Sequence, residues 1–153
     1  MGTRFAAGRR VEILLVEDTR ADAELLKAAL RECRSEAHLN VVEDGEEALS
    51  YVLRAGRHAG ASRPNLIILV LHLPKKSGVE VLAILKPDPG LRQIPVVVLT
   101  TSDSNEDVAN AYHLHANCYV TKPLDVSEYF SKIRALEEFW ITAVRLPADP
   151  QSI

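Results

Sequence analysis

The sequence is poor in sulfur and in aromatic rings, with two cysteines, one methionine and one tryptophan, and 5% aromatic residues in all. Cys33 and Cys118 lie far apart without the paired spacing of a zinc site, so they read as free thiols of a reducing compartment. His113, His115 and Cys118 are the nearest approach to a soft-metal cluster. Two of them fall at a helix end and the third in a strand, so they read as structural filler. No apolar run approaches the ~18–20 residues of a membrane helix. The N-terminus, MGTRFAAGRR, has no apolar stretch of signal-peptide length. A cytoplasmic protein without membrane attachment is the expectation. Neither sign of charge dominates: 18 Lys and Arg against 21 Asp and Glu give a net −3, which does not suggest a nucleic-acid surface. There is no P-loop, no G-x-G-x-x-G and no nucleophile triad motif, and no enzymatic activity is expected. One further absence is local. No Asp, Glu, Ser, Thr or Cys lies between Leu66 and Lys76.

That gap lies at the end of the most apolar stretch of the chain, Pro64–Pro74, reading PNLIILVLHLP. A run of this length, bounded by turn signals and rich in Leu, Ile and Val, reads as a strand buried on both faces. Such strands belong to parallel sheets covered by helices, where ligands bind beyond the carboxyl ends of the strands. The remainder, 47% hydrophobic and 25% charged over 153 residues, suits one globular domain with a substantial core.

In chain order, residues 1–10 read as a disordered leader and Val11–Val16 as a first strand. Thr19 opens a helix with Asp22 in the place of a capping-box acid, and Leu25, Leu26, Ala29, Leu30 and Cys33 follow at helical spacing. His38–Val42 is a short strand, 46–55 a helix, and 56–63 a loop before the central strand. Ser77 and Glu80 form a capping box for a helix ending near Lys86, where Pro87-Asp-Pro-Gly90 stops it. Pro95–Leu99 is a fourth strand, 103–114 a helix and Cys118–Val120 a fifth strand. Asp125 caps a last helix, whose stripe of Tyr129, Phe130, Ile133, Leu136, Phe139 and Trp140 is wide. Residues 145–153 are a tail. Alternation of five strands with five helices predicts an α/β doubly wound parallel sheet, helices on both faces, with 11–144 as the domain.

The strand ends then bring together Glu17 and Asp18, the stretch from Val70 to Pro74, Thr100 and Thr101, and Lys122. Paired acids suit a hard divalent cation such as Mg2+; a lysine with hydroxyls suits an anion such as a phosphoryl group. Any one of these residues could simply end a strand in water, but four strand ends agree.

The segments LLVEDTRADAELLKAAL, NLIILVLHLPKKSGVEVL, PVVVLTTS and CYVTKP, in this order, resemble the receiver domain of two-component response regulators, a flavodoxin-like (βα)5 fold. LPKKSGVEVL, IPVVVLTTS, HANCYVTK and FWITAVRLP are most similar to single-domain regulators partnered with phytochrome-type histidine kinases, and no output domain is expected after the receiver. The resemblance implies that Glu17 and Asp18 hold Mg2+ together with the backbone carbonyl of His72. It implies that Thr100, beside Thr101, tracks the phosphoryl group, that Lys122 contacts it, and that Tyr119 changes rotamer with activation. The Lys122–Pro123 bond is of the kind that is often cis in this family.

The departure is at Val70, where the resemblance places the phosphoacceptor aspartate. Valine has no atom that accepts phosphate or binds a metal, and the transfer needs a carboxylate nucleophile. The chain therefore reads as a pseudo-receiver that works by docking and dimerisation, with weakened Mg2+ binding. Lys122, deprived of its partner, is expected to turn to Asp18 or Glu17. Substitute phosphorylation at Asp18 or His72 is disfavoured by the accuracy that nucleophile placement requires. Two alternatives stay open: a phosphoacceptor regulator from which the aspartate has been removed, and a hydrolase of flavodoxin-like architecture. Tyr129, Phe130, Phe139 and Trp140 are the expected homodimer interface, unless the tail, through Val144 and Leu146, folds back over them.

Overall fold

The computed structural model describes residues 4–5 and 9–148. Arg4–Phe5 (β1) and Arg9–Arg10 (β2) pair antiparallel as a two-stranded ladder of their own. This differs from the disordered leader expected there: backbone hydrogen bonds close so short a ladder without a core. Residues 1–3 and 6–8 lie outside the described set.

The main sheet consists of β3 (Glu12–Val16), β4 (His38–Val42), β5 (Leu66–Leu69), β6 (Val96–Thr100) and β7 (Cys118–Thr121). All pairings are parallel and the order is β4-β3-β5-β6-β7. This is the predicted flavodoxin-like (βα)5 sheet. The apolar runs place β3, β5 and β6 inside it, and the more polar β4 and β7 fall at its edges, as their solvated side chains require. Alternation along each inner strand feeds two cores. Leu14, Val16, Ile67, Leu69, Val96 and Val98 face α2 (Gly45–Val52) and α3 (Gly78–Leu85), with Ala111 of α4 (Asn105–His113). Ile13, Leu15, Leu66, Ile68, Val97 and Leu99 face α1 (Arg20–Glu32) and α5 (Val126–Leu136).

Helix starts follow the capping residues. Ser77 and Glu80 form the reciprocal box, and Asp44, Ser104 and Asp125 each accept a hydrogen bond from the backbone three residues on. Thr19 sits at the N-cap of α1, but its hydroxyl makes no cap bond. Its own N–H donates to Glu17 Oε2 at 3.2 Å, which draws the residue toward the strand end.

The last helix departs from the expected stripe. Beyond Leu136 it continues as a π-helical segment, Glu137–Ala143. The wider turn brings Glu137 and Ile141 inward and rotates Phe139 outward, to 54% exposure. The chain beyond it also folds back: Leu146 is buried among Leu26, Ile133 and Ile141, with Val144 packed beside it. The expected tail is therefore partly core, and its last five residues lie outside the described set.

Two glycines bring the loop after β5 close to the helices. A Cβ on Gly78 would meet the Val70 carbonyl at 2.5 Å, and one on Gly45 would clash with the Lys76 carbonyl. At the opposite end of the sheet Lys86 is buried without a carboxylate partner. Its Nζ donates to the carbonyls of Arg92 (3.2 Å) and Ile94 (2.9 Å) and to Asn117 Oδ1 (3.0 Å). Burial holds this amine below the usual lysine range. Asn117 Oδ1 also accepts from the Val96 N–H, so one cation ties α3, the loop after it, β6 and the start of β7. Lys86→Met strands these acceptors and is expected to lower unfolding free energy by about 3 kcal/mol, read as a reduced urea midpoint with an unchanged m-value.

Candidate functional site at the strand ends

The buried edge of β3 ends in Glu17, which is 4% exposed, and Asp18, which is exposed. The backbone fixes the difference: Glu17 N–H still donates to the Val42 carbonyl at 3.0 Å, continuing the ladder, and the chain turns outward at the next residue. β7 ends in Lys122, whose N–H donates to the Thr100 carbonyl at 2.6 Å. Lys122 Nζ lies 2.8 Å from Glu17 Oε1 and 3.7 Å from Asp22 Oδ2, with its side chain 10% exposed. Of the two acids expected to take Lys122, Glu17 is the one that does. Burial raises the Glu17 carboxyl above its ordinary value, outweighing the attraction of Lys122 and the Thr19 N–H.

Val70, 8% exposed, stands one residue beyond β5, and its N–H donates to the Val16 carbonyl. It puts a hydrocarbon on the edge that carries Glu17 and Lys122. Thr100 is buried at the end of β6, and Thr101 is exposed beside it. Tyr119 on β7 donates from its hydroxyl to the Ser102 carbonyl at 2.7 Å. Burial holds its phenol above the usual range, and Asp107 and Asp103 add to the effect. The His72 side chain points to solvent, with Nε2 3.8 Å from Asp107 Oδ2.

For a divalent ion the arrangement offers little. Glu17 spends one oxygen on Lys122 and the other on Thr19, and Val70 supplies none. Among the described residues no group of three His, Cys, Asp or Glu is arranged around a metal position. Asp18 and the His72 carbonyl remain, a set that fits weak Mg2+ binding only. His113, His115 and Cys118 likewise form no such group. No peptide bond among the described residues is cis, Lys122–Pro123 included. Trans is the lower-energy isomer for X–Pro unless tertiary contacts override it.

A family model, the response regulator receiver domain, matches residues 13–134. The chain belongs to that family. Response regulator Rcp1 of Synechocystis sp. is 45% identical over 136 residues, covering 89% of this chain and 92% of Rcp1. The probable methanogenesis regulatory protein FilR2 of Methanothrix harundinacea is 41% identical over 135 residues, covering 88% and 86%. The phosphorylated cyanobacterial phytochrome response regulator RcpA superposes with a TM-score of 0.87 at 46% identity, over 92% of this receiver and all of RcpA. Rcp1 with Mn2+ bound gives 0.86 at 44%, over 90% and 99%. The receiver shares fold and length with regulators that bind a divalent metal in one case and carry phosphate in another.

Three of the four residues expected at a dimer surface pack wholly or partly on the core. Tyr129 is 4% exposed in the core under α5, with Asp22 and Glu17 close enough to raise its phenol further above the range that burial alone gives. Phe130 packs beside it, partly buried. The π-helical segment begins only at Glu137, and of its two rings Phe139 is exposed while Trp140 is partly buried against the same core. Asp22 was legible only as a first-turn acid of α1; its spacing of four from Asp18 was the available signal. Ser102 and Asp107, whose side chains meet at 2.5 Å, carried no motif.

Removing one partner of the buried pair leaves the other uncompensated. Lys122→Met and Glu17→Leu should each cost about 3 kcal/mol, and the double variant should cost well below their sum. The cost of Lys122→Met should also depend on pH. A carboxyl raised in the folded state favours folding on the acid side and loses that contribution as pH rises through its folded value. The deficit is therefore largest near neutrality and shrinks on acidification, as equilibrium unfolding at several pH values will show.

Proposed function

We propose that this receiver signals without accepting phosphate at the strand-end position, docking a phytochrome-type histidine kinase and acting as a homodimer in the cytoplasm. The observation that carries the reading is Val70. The nucleophile of the transfer must be a carboxylate, and the acids that meet Lys122 among the described residues, Glu17 and Asp22, are its ion-pair partners. The similarity to RcpA, a phytochrome response regulator, supports the choice of kinase. Mg2+ binds weakly in this reading, through Asp18 and the His72 carbonyl; the Mn2+-bound form of the similar regulator Rcp1 supports a divalent ion as ligand. The role is binding rather than catalysis, with neither nucleic acid nor membrane as partner; no helix of the described residues is long and apolar enough to cross a bilayer.

A groove of about 450 Å3 supports the dimer. It is lined by Cys118, Val120, Leu136, Phe139 and Trp140, with Lys132 at its rim. Phe139 and Trp140 meet edge to face, with centroids 5.2 Å apart. The free edge of β7 is blunted: Tyr112 Oη accepts the Tyr119 N–H at 3.2 Å, and Lys132 Nζ donates to the Thr121 carbonyl at 2.8 Å. A partner copy therefore meets side chains here rather than adding a strand.

Incubation with a labelled small-molecule phosphodonor should leave the unmodified chain unlabelled, and Val70→Asp should gain label that alkali removes, as an acyl phosphate requires. Label on the unmodified chain overturns the reading. Sedimentation should give a dimer at micromolar concentration and a monomer for Phe139→Ser; a monomer in both removes the homodimer from the proposal.

A further inference from the structure

A receiver that takes no phosphate still carries Tyr119, and something else must fix where that ring sits. The contacts around it form a continuous chain. Tyr119 Oη donates to the Ser102 carbonyl at 2.7 Å. Ser102 Oγ donates to Asp107 Oδ2 at 2.5 Å, a charge-assisted bond of the short, strong kind. Asp107 is anchored in turn: its N–H donates to Ser104 Oγ at 3.1 Å in the N-cap of α4. Asp107 is partly buried, with its side chain 29% exposed. His72, from the loop after Val70, approaches the same oxygen at 3.8 Å but is 74% exposed, too far and too solvated to hold it.

We infer that Asp107 is a positioning residue, a built-in anion that holds Ser102 and thereby keeps Tyr119 in one place without a phosphoryl group. The inference rests on the reading that no phosphate enters at Val70. An anion supplied from outside can shift a two-state element only by the difference in its affinity for the two states. Asp107 is covalently part of α4, so its effect is permanent and needs no ligand. The loop from Thr101 to Ser104 is thereby tied to α4 on one side and to the β7 ring on the other.

The test follows the Tyr119 ring in the full chain by NMR with labelled tyrosine, assigned by its loss in Tyr119→Phe. In Asp107→Ala and in Ser102→Ala the Tyr119 resonances should move toward those of a solvent-exposed tyrosine. In Asp107→Asn the amide oxygen still accepts from Ser102, so the resonances should stay, and the phenol should titrate at lower pH because the Asp107 charge has gone. Loss of the charge alone moves that titration, so the deciding readout is Ser102→Ala: were Asp107 only part of the start of α4, the Tyr119 resonances would stay in place there. His72→Ala should leave the ring unchanged. Tyr119 unmoved in both Asp107→Ala and Ser102→Ala overturns the inference. So does a shift in His72→Ala as large as that in Asp107→Ala. Ser102→Ala keeps the experiment decisive if α4 melts without Asp107: it removes the long 3.4 Å bond from the Ser104 N–H but keeps the cap bond from the Asp107 N–H to Ser104 Oγ. Label from a phosphodonor on the unmodified chain would end the phosphate-free reading by itself; an unmoved Tyr119 in an unlabelled chain ends only the inference about Asp107.

Discussion

An ammonium group that loses contact with water has to find a counter-charge, and at the strand ends Lys122 finds Glu17. The pair is 2.8 Å apart and nearly sealed from solvent. Its geometry settles what the edge can do. Desolvating both groups is expensive, and the pair recovers the expense only while both members stay. Val70 contributes no charge, and Glu17 gives one oxygen to the lysine and the other to the Thr19 N–H. What the structure shows at this edge is a buried ion pair beside a hydrocarbon. Asp22, itself half exposed, lies 3.7 Å from the lysine, and Tyr129 is buried nearby.

The opposite end of the sheet handles the same problem differently. Lys86 is as buried as Lys122 but is met by neutral oxygens, two carbonyls and one amide. Dipoles solvate the charge there without cancelling it, and burial accordingly lowers the amine from its ordinary value. The two lysines thus join the ends of the α/β layers by different means. One joins distant strand ends through a full counter-charge; the other ties a helix end to a loop and two strand starts through backbone groups that would otherwise be unsatisfied.

Much of this architecture was legible in the residues. Uninterrupted apolar runs marked β3, β5 and β6 as inner strands, and Ser77 with Glu80, or Asp125 with Glu128, marked helix starts, because those features are local and the physics acts over a few residues. Glu17, Asp18, Thr100 and Lys122 were found for the same reason: each directly follows an apolar strand. What escaped depends on distance in space. Periodicity read Phe139 and Trp140 on one stripe with Tyr129, but the stripe assumes a constant turn, and the π-helical segment breaks that assumption after Leu136. The burial of Leu146, with Val144 beside it, follows the alternative that the tail folds back over the last helix. Three helices end on non-glycine residues in the left-handed region, Arg34, Arg54 and His115, where glycine would be the usual signal. Arg34 and Arg54 instead place positive charge near the negative end of the helix dipole.

On the proposed reading, in which no phosphate enters at Val70, information is carried by whatever else biases the conformation. A covalent phosphate delivers its effect at one atom and is removed by hydrolysis. A docked partner delivers its effect over a surface and leaves by dissociation, and it shifts the receiver only as far as it prefers one conformation to the other. The apolar groove beside α5 and β7 is the surface with the most to offer such a partner, and β7 carries both Val120 in that groove and Tyr119 next to it. The strand runs on into Lys122, whose backbone is bonded to Thr100 and whose amine is bonded to Glu17. A partner that leans on β7 therefore acts on the same strand that closes the ion pair. On the proposed reading, the link between that surface and the strand end runs along β7, through the bonds of Lys122 to Thr100 and Glu17, rather than from a group at Val70.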